Sequence, residues 1–121
     1  MAKILIAEDD PTSRKLVTHV VDSLGHCSFV SPNGRHAWEA LDCGNNFAML
    51  ITDVVMPDMD GRTLIQTLRA DPRFAALPVV IMSAVVGVSE IAGLLKIGAT
   101  WFMPKPMDRA TLQEYIERSL K

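Results

Sequence analysis

The chain has 121 residues, 49% of them hydrophobic, the length of one domain with a sizeable core. Twelve Lys and Arg against fourteen Asp and Glu leave a formal net charge of −2, and the basic residues form no run, which argues against a nucleic-acid or membrane-surface binder. No apolar run approaches bilayer length and nothing resembles a signal peptide. Cys27 and Cys43 lie in no CxxC pair, so reduced thiols in a cytoplasmic protein are expected.

Along the chain, short apolar runs rich in β-branched residues alternate with stretches of helical period. Ile4-Leu5-Ile6-Ala7 is continuous rather than alternating, as suits a strand buried on both faces. Asp10-Pro11 then reads as an N-cap with a first-turn proline. Leu16, Val17, Val20, Val21 and Leu24 form an apolar stripe that Gly25 ends. Ser28-Phe29-Val30 is a weak second strand, and Asn33-Gly34 opens a helix with Ala37, Trp38 and Leu41 inside. Residues 48–52 form the third strand. Asp60-Gly61 precedes a helix marked by Leu64, Ile65 and Leu68, which Asp71-Pro72 ends.

Residues 78–82 form the fourth strand, and a helix lined by Ile91, Leu94 and Leu95 runs to Gly98. Trp101-Phe102-Met103 is a short fifth strand. Asp108 caps a last helix with Leu112, Tyr115, Ile116 and Leu120 inside. Five β-α units without a linker predict one domain over residues 1–121, an α/β fold with a parallel sheet and helices on both faces.

Ligands of open α/β sheets bind at the carboxyl ends of the strands. The predicted strand ends carry Glu8, Asp9 and Asp10; Asp53; Ser83; and Lys105. Two carboxylates about 4 Å apart repel by roughly 4 kcal/mol at an effective dielectric near 20. Such a cluster therefore calls for a cation. All-oxygen donors with no nearby His or Cys favour Mg²⁺ over Zn²⁺, and Lys105 and Ser83 are donors suited to phosphoryl oxygens. Asp10 by itself reads as a helix cap. His19, His26 and His36 share no face, so a histidine metal site is not expected.

Four segments resemble the receiver domain of bacterial two-component response regulators: residues 4–11 (ILIAEDDP), 53–61 (DVVMPDMDG), 82–84 (MSA) and 98–106 (GATWFMPKP). The resemblance spans the whole chain. It implies a flavodoxin-like (βα)5 three-layer sandwich with strand order 2-1-3-4-5. It also implies that Asp53 is the phospho-acceptor, supplied by a sensor histidine kinase or a histidine phosphotransfer protein. Asp9 would be the principal Mg²⁺ ligand, with Glu8 acting mainly through bound water and Val55 giving its backbone carbonyl. Ser83 and Lys105 would hold phosphoryl oxygens, and the bond before Pro106 would be cis. Ser83 and Phe102 would form the switch, repacking the surface of the fourth helix, fifth strand and fifth helix. Such a protein is a switch that assists its own phosphotransfer and slow autodephosphorylation, not an enzyme acting on other substrates.

Several positions depart from the commoner family pattern. Phe102 stands for the frequent tyrosine, Glu8 for an Asp, and Pro104 removes a donor beside Lys105. Val55 and Val85 flank the expected phosphoryl site, and their apolar side chains are expected to slow hydrolysis. Trp101, where a polar residue is common, reads either as packing or as an exposed anchor on the docking surface. An aspartyl phosphatase of the haloacid dehalogenase type would need an Asp where Val55 stands, and no strand end has the phosphate loop of a flavodoxin. The sequence ends one residue after Leu120, so the expected output is a separate protein partner or a domain fused in a longer protein.

Overall fold

The computed structural model describes residues 1–84 and 87–120. Five strands, β1 (Lys3–Ala7), β2 (Cys27–Ser31), β3 (Met49–Asp53), β4 (Val79–Ser83) and β5 (Trp101–Pro104), alternate with five helices. The helices are α1 (Pro11–Ser23), α2 (Gly34–Asp42), α3 (Gly61–Arg69), α4 (Val88–Lys96) and α5 (Arg109–Ser119). A 3-10 turn, Pro72–Phe74, follows α3. Every strand pairing is parallel and the order is β2-β1-β3-β4-β5, as the resemblance implies.

Alternate residues of each central strand feed two separate cores, as the two-residue period of a strand requires. Leu5, Leu50, Val79 and Ile81 pack with α2, α3 and α4 through Leu41, Leu64, Ile65, Leu68 and Leu94. Ile4, Ile6, Met49, Ile51, Val80 and Met82 pack with α1 and α5 through Val17, Val20, Val21, Leu112 and Ile116. Fully burying one such aliphatic side chain contributes about 1.5–3 kcal/mol, so the sheet's continuous apolar runs hold the three layers together.

The helix caps form as read. The side chains of Asp10, Asn33, Asp60 and Asp108 each accept a backbone N–H in the first turn of the helix that follows. Four apolar assignments need correction. Leu16 and Leu95 are 49% and 43% exposed, because α1 and α4 each bury a narrower stripe than their apolar residues cover. Tyr115 and Leu120 pack at the margin of their core rather than within it. Strands β3 and β4 also sit one residue later than read, at Met49–Asp53 and Val79–Ser83, so Asp53 and Ser83 are their closing residues. The ladder pairs Asp53 with Met82 and Ser83 with Pro104, which extends both strands onto the functional rim.

Candidate functional site

The parallel sheet brings the ends of β1, β3, β4 and β5 to one rim. Glu8 and Asp9 follow β1, Asp53 closes β3, Ser83 closes β4, and Lys105 follows β5. The backbone sets these positions: Glu8 N donates to Ser31 O at 3.0 Å, and Lys105 N donates to Ser83 O at 2.9 Å. Val54 N lies 2.8 Å from Asp53 Oδ1 and 3.1 Å from Met82 O, donating to both. Thr52 Oγ1 donates to the Asp53 carbonyl at 3.0 Å. Gly61 serves close approach: a Cβ there would lie 2.0 Å from Asp53 O, while Gly61 N donates to Val54 O at 2.8 Å.

Lys105 joins the acids. Its Nζ is 2.7 Å from Glu8 Oε1 and 2.8 Å from Asp53 Oδ2, so one ammonium serves two carboxylates. Glu8 is fully buried and Asp53 nearly so, whereas Asp9 is exposed. Burial pushes the Glu8 carboxyl up to about 7; the bond from Lys105 opposes the rise and neighbouring Asp53 adds to it. Burial also works against the Lys105 ammonium, but the bonds to Asp53 and Glu8 outweigh it and its pKa is raised.

One carboxylate oxygen from each of Glu8, Asp9 and Asp53 lies within 4.8 Å of the others. Three acids and one ammonium leave excess negative charge at a partly buried rim, a donor set that fits a hard divalent cation. Asp10 is separately occupied as the α1 cap, with Oδ2 accepting from Ser13 N at 2.9 Å. Its carboxyl is held below its ordinary range chiefly by that backbone bond.

The Lys105–Pro106 peptide is cis. Phe102 is half-buried in β5 and packs against the α2–α3–α4 core. Trp101 is also half-buried: its ring stacks on Tyr115 with centroids 4.8 Å apart, and its Nε1 donates to Ser119 Oγ. Arg118 lies over the same ring at 5.7 Å. Val55 is exposed in the loop after β3, while Val85 lies outside the described residues. The sequence marks Asn33 and Gly34 only as a helix start, and Gly61 as a helix start and the last residue of the 53–61 segment. The contacts of Asn33 and Gly34 with the loop after β3 come from a segment distant in sequence, and a cap followed by glycine is the only local signal for them.

A family model described as the response regulator receiver domain matches residues 4–117. Chemotaxis protein CheY1 of Helicobacter pylori is 33% identical over 116 residues, covering 95% of this chain and 94% of that protein. The signal receiver domain of a signal transduction histidine kinase from Syntrophus aciditrophicus superposes with a TM-score of 0.90. It is 30% identical, with 99% of this chain and 90% of that one covered. The receiver domain of sensor histidine kinase PA1611 from Pseudomonas aeruginosa, whose structure holds a magnesium ion in its active-site cleft, shares the fold. Its TM-score is 0.89 at 23% identity, over 98% and 97% of the two chains. The chain therefore belongs to the response regulator receiver domain family, the phosphoryl-accepting signalling switches of two-component systems.

Proposed function

We propose that Asp53 is the phosphoryl acceptor of this receiver and that Glu8, Asp9, Asp53 and the Val55 backbone carbonyl hold Mg²⁺. The observation that carries the reading is Lys105 Nζ bridging Glu8 and Asp53 at 2.7 and 2.8 Å, beside three acids whose oxygens lie within 4.8 Å. Bound Mg²⁺ would neutralise charge on the acids and on the incoming phosphoryl oxygens.

A carboxylate oxygen of Asp53 attacks the phosphorus of a phosphohistidine on a sensor histidine kinase or histidine phosphotransfer protein. An O–P bond forms, the N–P bond breaks, and the released imidazole takes its proton from solvent. Val54 N–H orients the acceptor carboxylate through Oδ1, and Lys105 moves from Asp53 Oδ2 to a phosphoryl oxygen. Ser83, closing the neighbouring strand, donates its hydroxyl to another of these oxygens. Water later cleaves the acyl phosphate, returning Asp53 and inorganic phosphate.

Phosphorylation would draw Ser83 toward the phosphoryl group and let Phe102 turn inward, repacking the surface of α4, β5 and α5 for a downstream partner or fused output domain. Trp101, held by Tyr115 and Ser119, is the candidate anchor there. We take residues 1–121 as one receiver domain working in the cytoplasm, where the free Cys27 and Cys43 would stay reduced. Among the described residues no helix is long and apolar enough to cross a membrane.

Incubation with beryllofluoride or acetyl phosphate tests the assignment. Wild type should respond only with Mg²⁺ present, and Asp53→Asn should not respond. A wild type that ignores both reagents in Mg²⁺ would overturn it.

A further inference from the structure

The loop between β3 and α3, residues 54–60, carries Val55, and three attachments fix its course. Met56 is buried in the core, and Gly61 N donates to Val54 O at its far end. The third attachment comes from the start of α2, which is remote in sequence. Gly34 N donates to Met59 O at 3.0 Å, and a Cβ on residue 34 would lie 2.1 Å from that oxygen. Only glycine permits so close an approach. Beside it, Asn33 Oδ1 caps α2 by accepting from His36 N at 2.8 Å, while its Nδ2 donates to Asp58 Oδ2 at 3.2 Å. Asp58 itself holds a φ of 67°.

Asn33 thus uses one amide for two tasks, and only one concerns its own helix. A cap needs an acceptor alone, which Asp or Ser supplies as well as Asn. The second bond, to Asp58, is irrelevant to capping. It ties the loop that presents Val55 to α2, which is remote in sequence but packs on the same face of the sheet as α3.

We propose that Asn33 and Gly34 are positioning residues for the divalent cation, clamping the β3–α3 loop so that the Val55 carbonyl is held ready for it. The inference rests on the Mg²⁺ site proposed above. Neither residue touches the ion. They act as outer-sphere partners do, by removing the freedom of a group that would otherwise have to be ordered on binding. Because Gly34 begins α2 and Asn33 follows β2, the clamp also couples the edge of the sheet to the acceptor loop.

The test is Mg²⁺ titration by calorimetry, with melting temperature in EDTA as a separate measure of the fold. Asn33→Asp keeps the cap but sets a carboxylate against Asp58. Its added negative charge would by itself tighten a cation site, so weaker binding has to come from the broken clamp. Mg²⁺ affinity should fall roughly tenfold, the low end for outer-sphere partners, with the melting temperature nearly unchanged.

The double variant Asn33→Asp/Asp58→Asn reverses donor and acceptor at wild-type net charge and should restore affinity to within about twofold, the scatter expected of a conserved hydrogen bond. Gly34→Ala should weaken Mg²⁺ binding further. Wild-type affinity in Asn33→Asp, or loss without restoration in the double variant, would overturn the clamp while leaving the metal site intact. A wild type that binds no Mg²⁺ would overturn the site as well.

Discussion

Replacing Asp53 by Asn in metal-free protein should change stability in opposite directions at pH 5 and pH 8. The folded Glu8 pKa, about 7, lies above its ordinary 4.5. Stability linked to neutral Glu8 is therefore complete below pH 4.5 and is lost as pH rises through about 7. At pH 8 Glu8 is mostly ionised. Acid oxygens within 4.8 Å then repel by about 3.5 kcal/mol per pair at an effective dielectric near 20, and Asp53 faces two of them. Against this, its contact with Lys105 at 2.8 Å is an attraction of about 6 kcal/mol on the same scale.

Removing the Asp53 charge at pH 8 thus leaves the variant more stable by about 1 kcal/mol. At pH 5 Glu8 is neutral, one repulsion is already gone, and the same substitution costs about 2.5 kcal/mol. Asn retains an acceptor for Val54 N–H, so that bond does not change the comparison. Urea unfolding in EDTA at both pH values measures the difference directly. The gap between variant and wild type should shift in the variant's favour by about 3.5 kcal/mol from pH 5 to pH 8. An identical gap at both would refute the coupling of Glu8 to Asp53.

Lys105→Met should destabilise the metal-free protein by about 3 kcal/mol at pH 8, because it strands the buried Glu8 carboxylate beside Asp53. The loss should shrink at pH 5, and equal loss at both values would contradict it. Gly61→Ala places a methyl 2.0 Å from Asp53 O, so the strand end or α3 must move. We expect at least about 2 kcal/mol of destabilisation by denaturant titration, with an unchanged midpoint the contrary result. Val85→Glu should shorten the phosphoaspartate lifetime several-fold if apolar flanks restrict water, about 1 kcal/mol in barrier height. The decay of the acyl phosphate, followed by radiolabel, checks this, and an unaltered lifetime counts against it.

Much of the fold was legible because hydrophobic runs and helix punctuation are local. The runs at residues 4–7, 48–52 and 78–82 are too short and too apolar for exposed helices, and Asp10-Pro11, Asn33-Gly34 and Asp60-Gly61 mark helix starts within a few residues. Strand ends were less legible. Nothing local to Asp53 shows that it closes β3; that depends on its register against Met82 in another strand. Leu16 and Leu95 show the same boundary from the apolar side. Helical period assigns them to an inner face, but the width of the buried stripe depends on how closely the helix approaches the sheet.

The amino-acid order alone determined the alternation of strands and helices, and hence a parallel sheet with its acids at the carboxyl ends. A strand buried on both faces, a cap and a breaker are each written in neighbouring residues. Only the tertiary structure decided which acids share Lys105, why Glu8 is pushed up to about 7, and that Asn33 and Gly34 reach the loop between β3 and α3. Those properties depend on distances between segments as far apart as residues 8 and 105, where burial and Coulomb forces act across space rather than along the chain.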